Sequence, residues 1–208
     1  MQGLFITFEG GDGAGKSTQV NLLADWLDNQ GLDVVRTREP GGTRLGFALR
    51  ELLLHGEYIF PRAEALLYAA DRAQHVAEVV RPAIKRGAIV VQDRYIDSSL
   101  AYQSAGRPLA ENDIRELAEW SSEGLWPNLT VLLDVSPELA ESRRQNAGKS
   151  ADRFESEANE FHASVRAGFL SLADAEPERF LVLEAALPVD ELHHAVRARV
   201  APLIEPYL

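Results

Sequence analysis

Gly10-Gly11-Asp12-Gly13-Ala14-Gly15-Lys16-Ser17 fits the pattern G-x-x-x-x-G-K-[ST] and follows a short apolar run at residues 4–8. Its glycines allow the backbone to bend so that successive N–H groups surround a phosphate chain. In this pattern Lys16 reaches the terminal phosphates, and the Ser17 hydroxyl is a ligand of Mg²⁺. A glycine-rich turn without such a role is the alternative, but here a predicted strand precedes the pattern and a predicted helix follows it. The stretch therefore predicts a phosphate-binding loop within an α/β fold.

The residues after this loop predict the first unit of a parallel sheet. Apolar residues recur three and four positions apart, which is the spacing of one helix face. They are Val20, Leu23, Ala24 and Leu27. Gly31 ends that helix, and the valine-rich residues 32–37 predict a second strand. The chain thus opens as strand, loop, helix and strand, the order from which parallel sheets are built.

Five predicted strands alternate with helices along the chain. After the first two, the strands are predicted at residues 88–91, 129–133 and 180–183. Helices are predicted at residues 43–55, 61–87 with a kink at Pro82, 111–123, 137–144, 155–173 and 190–204. We see no linker or repeat, so we expect one domain over residues 1–208. Its expected fold is the three-layer α/β fold of P-loop NTPases, a five-stranded parallel sheet flanked by helices.

The composition narrows the class of protein. Of the 208 residues, 46% are hydrophobic and 25% charged, and the absence of cysteine excludes disulfides and zinc–thiolate sites. No apolar stretch reaches the length of a membrane span, and the first residues lead directly into a strand. We therefore expect a cytoplasmic protein with no membrane partner. The net charge of −11 argues against binding polymeric nucleic acid, although it is compatible with small anionic substrates held by local arginines.

Polar residues follow three of the predicted strands, at the edge where ligands bind in such sheets. They are residues 10–17, residues 38–43 and Asp93-Arg94-Tyr95. Asp93 ends an apolar strand and is predicted to hold the Mg²⁺ shell through water, the alternative being a cap of the next turn. Arg94 is predicted to clamp an acceptor phosphate, the alternative being a solvated side chain.

Six stretches form a combination that is more specific than the phosphate loop alone. They are residues 8–18, 37–43, 70–74, 93–95, 98–103 and 133–135. The combination spans nearly the whole chain and resembles the bacterial thymidylate kinases (dTMP kinases), a family of P-loop nucleoside monophosphate kinases. The resemblance implies transfer of the γ-phosphoryl group of ATP to dTMP with Mg²⁺, giving dTDP for dTTP biosynthesis. It also implies a homodimer, for which the sequence itself offers only apolar helix faces and Trp120.

The resemblance also assigns the expected site residues. The ATP phosphates are assigned to Gly10, Gly11, Asp12, Gly13, Ala14, Gly15, Lys16, Ser17 and Thr18, with Arg143 also on the ATP side. The dTMP side is assigned to Asp12, Arg38, Tyr68, Arg72, Arg94, Ser98, Ser99, Tyr102 and Gln103. Catalysis is assigned to Lys16, Asp12, Arg94 and Arg153, and the metal to Ser17 and Asp93.

Three of these residues are expected to recognise the nucleoside. The resemblance implies that Tyr68 stacks on thymine, that Arg72 hydrogen-bonds the base, and that Tyr102 lies against the sugar C2′ and disfavours ribose. Aromatic faces bind any base, so discrimination between bases needs polar groups on the base edge. Ordinary core packing of Tyr68 on a helix remains the alternative.

The polar stretch around residues 143–154 resembles the mobile lid of the family. Ala14 occupies a loop position at which some members carry an arginine, which implies that a lid arginine supplies the cation at the transition state. Arg153 is the first candidate, and the weaker ones are Arg143, Arg144 and Lys149. A solvated helix face is the alternative, but glycine, asparagine and serine break the helical pattern between these charges.

Two classes of function remain open from the residues alone. A monophosphate kinase explains the arginines near the loop, although another monophosphate or a deoxynucleoside could be the acceptor. A regulatory P-loop ATPase or GTPase needs no acceptor site, and a GTPase would carry an Asn-Lys-x-Asp motif, which this sequence lacks. ADP release that depends on dTMP favours the kinase, whereas slow hydrolysis that is indifferent to the acceptor favours the regulator.

Overall fold

The computed structural model describes residues 2–107, 109–147, 153–155 and 157–208. Its strands are β1 (Phe5–Glu9), β2 (Val34–Arg38), β3 (Ile89–Asp93), β4 (Leu129–Asp134) and β5 (Phe180–Glu184). They form one five-stranded parallel sheet in the order β2-β3-β1-β4-β5. The predicted three-layer α/β fold is confirmed, and each strand lies close to its predicted position.

Helices cover both faces of the sheet, which explains why its central strands are almost wholly apolar. Phe5 pairs with Val90 in β3, Ile6 pairs with Leu129 in β4, and all four residues are buried. Phe5 and Val90 belong to one apolar core, whereas Ile6 and Leu129 belong to the other, as alternation along a strand requires. The central strands are therefore rigid supports for the polar residues at their carboxyl ends.

Two of the described helices, α2 and α3, begin at clear N-terminal signals in the sequence. Their bounds are α1 (Lys16–Asp28), α2 (Arg44–His55), α3 (Pro61–His75), α4 (Arg81–Lys85), α5 (Ile96–Ser99), α6 (Glu111–Ser122), α7 (Pro137–Ala147), α8 (Asn159–Ala175) and α9 (Val189–Ile204). The Thr43 hydroxyl accepts a hydrogen bond from the backbone N–H of Gly46 (2.9 Å) and so caps α2. Pro61 opens α3, where its missing N–H costs nothing. None of the described helices is long and apolar enough to cross a membrane.

Two π-helical turns distinguish the structure from the predicted pattern. A π-helical turn at Val76–Val80 lies just before Pro82, where the sequence predicts a kink, and after it the N–H of Arg81 bonds to the carbonyl of Val76. The wider turn lets the chain continue past a proline that cannot donate a hydrogen bond. A second π-helical turn, Leu100–Ala105, continues α5 directly after β3. This second helical segment was not predicted, because its serines have a weak intrinsic preference for helix.

The helix before the predicted lid ends later than the sequence predicts, and the helix after it begins later. Helix α7 continues to Ala147, and α8 begins at Asn159 rather than near residue 155. The prediction that the polar stretch interrupts the helix at residue 145 is thus wrong, because residues 145–147 still form the last turn of α7. Residues 148–152, which include Lys149, and the side chain of Arg144 lie outside the described part of the chain.

Candidate active site

The phosphate loop joins β1 to α1 with the backbone geometry that its glycines allow. The φ angles of Gly10, Gly13 and Gly15 are 131°, 78° and 94°. A Cβ atom on Gly10 would lie 2.3 Å from the carbonyl oxygen of Leu133, so a side chain at this position would collide with β4. Glycine is therefore required both for the turn of the loop and for its close approach to the sheet.

The Lys16 side chain folds back on this loop. Its Nζ donates hydrogen bonds to the carbonyl oxygens of Gly10 (3.0 Å) and Gly11 (2.8 Å). Burial, reinforced by the nearby charge of Arg94, lowers the pKa of Lys16 to about 8. Phosphate oxygens brought into the loop would favour the charged form of the lysine, because opposite charges stabilise each other at short range.

Ser17 and Asp93 meet beside the loop although they are far apart in the sequence. The Ser17 hydroxyl donates to Asp93 Oδ2 (2.6 Å). A hydroxyl and a carboxylate are the hard oxygen ligands that Mg²⁺ prefers, and Mg²⁺ usually completes its shell with water and substrate phosphates. Among the described residues no group of three or more His, Cys, Asp or Glu side chains could hold a metal. This pair therefore fits a magnesium ion shared with the phosphates rather than an all-protein cage.

Asp12 and Arg94 connect the phosphate loop to the end of β3. Arg94 Nη2 donates to Asp12 Oδ1 at 2.6 Å, and the Tyr102 hydroxyl donates to Asp12 Oδ2 at 3.2 Å. Burial alone would raise the pKa of Asp12, but the charges of Arg94 and Lys16 outweigh it and lower the pKa to about 2. The carboxylate is therefore ionised at neutral pH and holds the guanidinium at the mouth of the phosphate loop.

Glu9 fixes the turn that carries Arg94. Arg94 has a φ of 64°, an uncommon backbone conformation for a residue with a side chain. Glu9 accepts hydrogen bonds from the backbone N–H of Tyr95 (2.7 Å) and from the Ser98 hydroxyl (2.6 Å). The Ser98 hydroxyl in turn accepts from Arg94 Nη1 (3.1 Å). These contacts to residues that follow Arg94, together with the hydrogen bond from the Arg94 backbone N–H to the carbonyl of Phe8 (2.9 Å), hold the strained turn in place.

No role was predicted for Glu9, although an acid at the end of a strand that leads into the phosphate loop is a signal in the sequence. It is a fully buried carboxylate at the end of an otherwise largely apolar strand. Burial, with the nearby charge of Asp97, raises the pKa of Glu9 to about 7. A buried acid with a perturbed pKa beside a loop is typical of a functional site.

A cavity with an empty volume of about 560 Å³ opens beside Arg94. Eight of the nine residues predicted to bind dTMP line it: Asp12, Tyr68, Arg72, Arg94, Ser98, Ser99, Tyr102 and Gln103. Lining residues without a predicted role are Glu39, Pro40, Arg50, Leu54, Tyr95 and Phe154. The ninth predicted residue, Arg38, has an exposed side chain and does not line the cavity.

Arg72 is held rigidly in the wall of this cavity. Its Nε donates to Glu39 Oε2 (3.2 Å), and its Nη2 donates to the Ser99 hydroxyl (2.7 Å) and to the carbonyl oxygen of Tyr95 (3.3 Å). Only 2% of Arg72 is exposed, so the compensation of its charge by Glu39 is essential. The guanidinium can therefore offer N–H donors to a ligand from a fixed position.

The aromatic residues of the cavity pack as a group. The ring of Phe154 lies 6.2 Å from that of Tyr68 and 5.8 Å from that of Tyr102, measured between centroids. Tyr68 packs against one apolar core and also lines the cavity, so the two interpretations of this residue are compatible. Burial raises the pKa of Tyr68 and of Tyr102 well above the ordinary value, so both phenols are neutral.

The two described lid arginines lie on different sides of the site. Arg143 donates to the carbonyl oxygens of Gly13 (3.0 Å) and Ala185 (2.7 Å) and thus rests on the phosphate loop. Arg153 donates to the carbonyl oxygen of Leu53 (2.9 Å) and forms an ion pair with Glu64 (2.7 Å) on the side of the cavity. Among the described contacts, that of Arg143 with Gly13 reaches the phosphate loop, whereas those of Arg153 with Leu53 and Glu64 lie on the side of the cavity.

A phosphate loop, an oxygen pair suited to Mg²⁺ and an arginine-containing acceptor cavity at one edge of a parallel sheet together define a P-loop kinase. The family model described as Thymidylate kinase matches residues 8–196. The chain therefore belongs to the thymidylate kinase family. Membership of this kinase family excludes the regulatory ATPase or GTPase that the residues alone left open.

Individual relatives cover almost the whole chain. The thymidylate kinase of Clavibacter michiganensis subsp. michiganensis is 58% identical over 205 residues, which cover 98% of this chain and 97% of that protein. The thymidylate kinase of Leifsonia xyli subsp. xyli is 60% identical over 200 residues, which cover 95% and 94%. The crystal structure of thymidylate kinase from Ehrlichia chaffeensis matches with a TM-score of 0.79 and 32% identity, covering 96% of this chain and 99% of that one.

Proposed function

We propose that the protein binds Mg²⁺-ATP on residues 10–18 and dTMP in the cavity, and transfers the γ-phosphoryl group between them. Phosphorylation of dTMP to dTDP with ATP as donor is the activity of the family to which the chain belongs. The observation that carries the assignment of sites is the Asp12–Arg94 ion pair of 2.6 Å. It joins the phosphate loop to the cavity wall, so two nucleotides bound on either side would meet at their phosphates.

On the donor side, the backbone N–H groups of the loop would hold the phosphate chain. Lys16 would exchange its two carbonyl partners for the terminal phosphates, and Arg143 would border the ATP because it already contacts the loop. Ser17 directly, and Asp93 through water, would hold Mg²⁺, which when bound neutralises charge on the phosphates. These roles require positioning and positive charge but no covalent chemistry from the protein.

On the acceptor side, Arg94 would bind the dTMP phosphate. Arg50 is a second cation of the cavity wall, and its Nη1 donates to the carbonyl of Pro40 (3.1 Å). Arg72, Ser99 and Gln103 would face the base, with the ring of Tyr68 on its flat side. Tyr102 would lie against C2′ of the sugar, since its hydroxyl already bridges Asp12 and Arg94.

Arg153 is our candidate for the cation that stabilises the transition state. To act there, it would exchange Glu64 and the carbonyl of Leu53 for phosphate oxygens. The proposed lid, around residues 143–154, lies partly outside the described residues, and the assignment rests on Arg143 and Arg153 at its two ends. Exclusion of water by such a segment would protect the phosphoryl group from hydrolysis.

We also propose that the protein is a homodimer. Large apolar side chains stand exposed on or beside α2, α3 and α6, namely Leu52 (55%), Tyr58 (72%), Phe60 (73%), Leu66 (58%) and Trp120 (79%). Helix α3 packs on both α2 and α6, and exposed apolar side chains on neighbouring helices are typical of a subunit interface. Sedimentation should give a dimer for the wild type and a monomer for Trp120→Glu; a wild-type monomer would refute the proposal.

Mixing the protein with Mg²⁺-ATP and individual monophosphates tests the proposed reaction. ADP release should depend on dTMP, and dTDP should form in equal amount. The same assay with Arg94→Ala should require much more dTMP while its requirement for ATP stays close to that of the wild type. ADP release at one rate with every acceptor, or without any, would contradict the proposed sites.

A further inference from the structure

Glu64 is a buried carboxylate that the proposed reaction does not use. It lies in the first turn of α3 and is completely inaccessible to solvent. Its oxygens pair with Arg153 (2.7 Å) and with Arg107 (3.4 Å). These two ion pairs compensate the burial of its negative charge. The Glu64 carboxylate also contacts Gln103, which lines the nucleotide cavity.

This contact decides which end of the Gln103 amide faces the cavity. Gln103 Nε2 donates to Glu64 Oε1 at 3.1 Å, and only 2% of Gln103 is exposed. A carboxylate can only accept hydrogen bonds, so Glu64 selects the NH₂ end of the Gln103 amide. The carbonyl end of the amide is thereby turned away from Glu64. The reversed amide would place two acceptor oxygens together with no proton between them, which is costly in a buried site.

We propose that Glu64 is a positioning residue for base selection: by orienting Gln103, it favours a pyrimidine that has an N–H at N3 and a carbonyl at C4. The inference rests on the proposed function, in which the base of dTMP reaches Gln103. Thymine and uracil have this pattern of donor and acceptor. Cytosine has an acceptor at N3 and an amino group at C4, so it would require the reversed amide.

Arg72, which also lines the cavity, favours the same bases as Gln103 does. Its guanidinium has only donors, and Glu39 and Ser99 hold it in place. It can donate to a carbonyl at C4 but cannot accept from an amino group. Gln103 and Arg72 are anchored separately, yet together they present an acceptor for N3–H and a donor for the C4 carbonyl. Thymine satisfies both groups, whereas cytosine would leave both unpaired and is therefore rejected.

The Glu64→Gln variant tests this inference. A glutamine at this position can face Gln103 with either end of its own amide, so Gln103 becomes free to reverse. The ratio of kcat/KM for dTMP to that for dCMP should fall about tenfold or more. The ratio of dTMP to dUMP should stay unchanged, because these bases differ only in a methyl group. Any effect of the variant on Arg153 lowers kcat/KM for dTMP, dCMP and dUMP equally, so it cancels in both ratios.

Two further variants separate the possible failures. Glu157→Gln removes another carboxylate that pairs with Arg107 (2.7 Å) but leaves Gln103 alone, so both ratios should match the wild type. Gln103→Leu should lower the dTMP-to-dCMP ratio, and adding Glu64→Gln to it should change the ratio no further. If Glu64→Gln does not fold, Glu64→Asp, whose carboxylate withdraws from Gln103, should shift the ratio in the same direction.

The outcomes distinguish this inference from the proposed function. A wild-type dTMP-to-dCMP ratio in folded Glu64→Gln or Glu64→Asp, together with a lowered ratio in Gln103→Leu, would overturn the positioning role alone. A wild-type ratio in Gln103→Leu would remove the proposed contact between Gln103 and the base, and the role of Glu64 with it.

Discussion

The phosphate loop and the nucleotide cavity adjoin each other, yet they are built in different ways. The loop is one continuous stretch, residues 10–17, whose binding groups are mainly backbone N–H groups. The cavity is assembled largely from side chains of α2, α3, α5, the π-helical turn that follows α5, and the loops after β2 and β3. The Gln103–Glu64 contact, for example, joins residues 39 positions apart. A site whose backbone binds the ligand can be specified by one short motif. A site whose wall consists of side chains depends instead on packing between distant segments of the chain.

Arg153→Ala should have the largest effect and tests whether the two regions share a catalytic cation. We expect turnover to fall by about 10³-fold or more, because charge neutralisation dominates phosphoryl transfer. Arg107→Ala is a matched control, since Arg107 and Arg153 are 15% and 14% exposed and both pair with Glu64. The loss is measured as kcat at saturating substrates. An equal loss in both variants would show that Arg153 has a structural role beside the cavity and is not the catalytic cation.

Lys16→Ala tests the claim that the loop serves phosphates rather than stability. Turnover should fall by about 10²- to 10³-fold, the usual cost of removing one preorganised charge-stabilising group. The melting temperature should remain close to that of the wild type, because the hydrogen bonds that Lys16 donates among the described residues go to carbonyls of its own loop. Lys85→Ala, at the exposed end of α4, is the control for a lost surface lysine. Wild-type turnover in a folded Lys16→Ala protein would refute the assignment.

Tyr102→Ala should act mainly on the cavity, since at the loop it removes one hydrogen bond to Asp12, whose ion pair with Arg94 stays in place. The preference for a deoxyribose over a ribose acceptor, measured as the ratio of kcat/KM for dUMP to that for UMP, should fall about tenfold. The ring, rather than the hydroxyl, is expected to exclude the 2′-hydroxyl, so Tyr102→Phe should keep most of the preference. An unchanged dUMP-to-UMP ratio in Tyr102→Ala would argue against contact with the sugar.

The smallest expected effect concerns Glu9, which lies where the two regions join. The folded protein raises the pKa of Glu9 from 4.5 to about 7, so between these values it binds more protons than the unfolded chain does. Stability from this group is therefore greatest at low pH and is lost as pH rises toward 7. Glu9→Gln removes this titration. The melting temperature of Glu9→Gln minus that of the wild type should be higher at pH 8 than at pH 5. A difference that is the same at both values would contradict the shifted pKa.

Much of the cavity could be predicted because family motifs mark its residues. Eight of the nine predicted dTMP residues line it, and the ninth, Arg38, does not. Arg38 ends an outer strand, and its side chain is exposed, whereas Arg50 on α2 lines the cavity. No local pattern marks Arg50, since its position follows from how α2 packs beside the loop at residues 38–43. Phe154 was missed for a similar reason, because its contacts with Tyr68 and Tyr102 join separate segments.

The sequence by itself determined the phosphate loop, the succession of strands and helices, and the family. Each of these depends on local backbone geometry or on the spacing of apolar residues, which a short stretch of chain contains in full. Only the tertiary structure decided the environment of Glu9, the orientation of Gln103 by Glu64 and the resting partners of Arg153. Those features are distances between side chains from separate elements, and they are fixed only when the helices pack on the sheet.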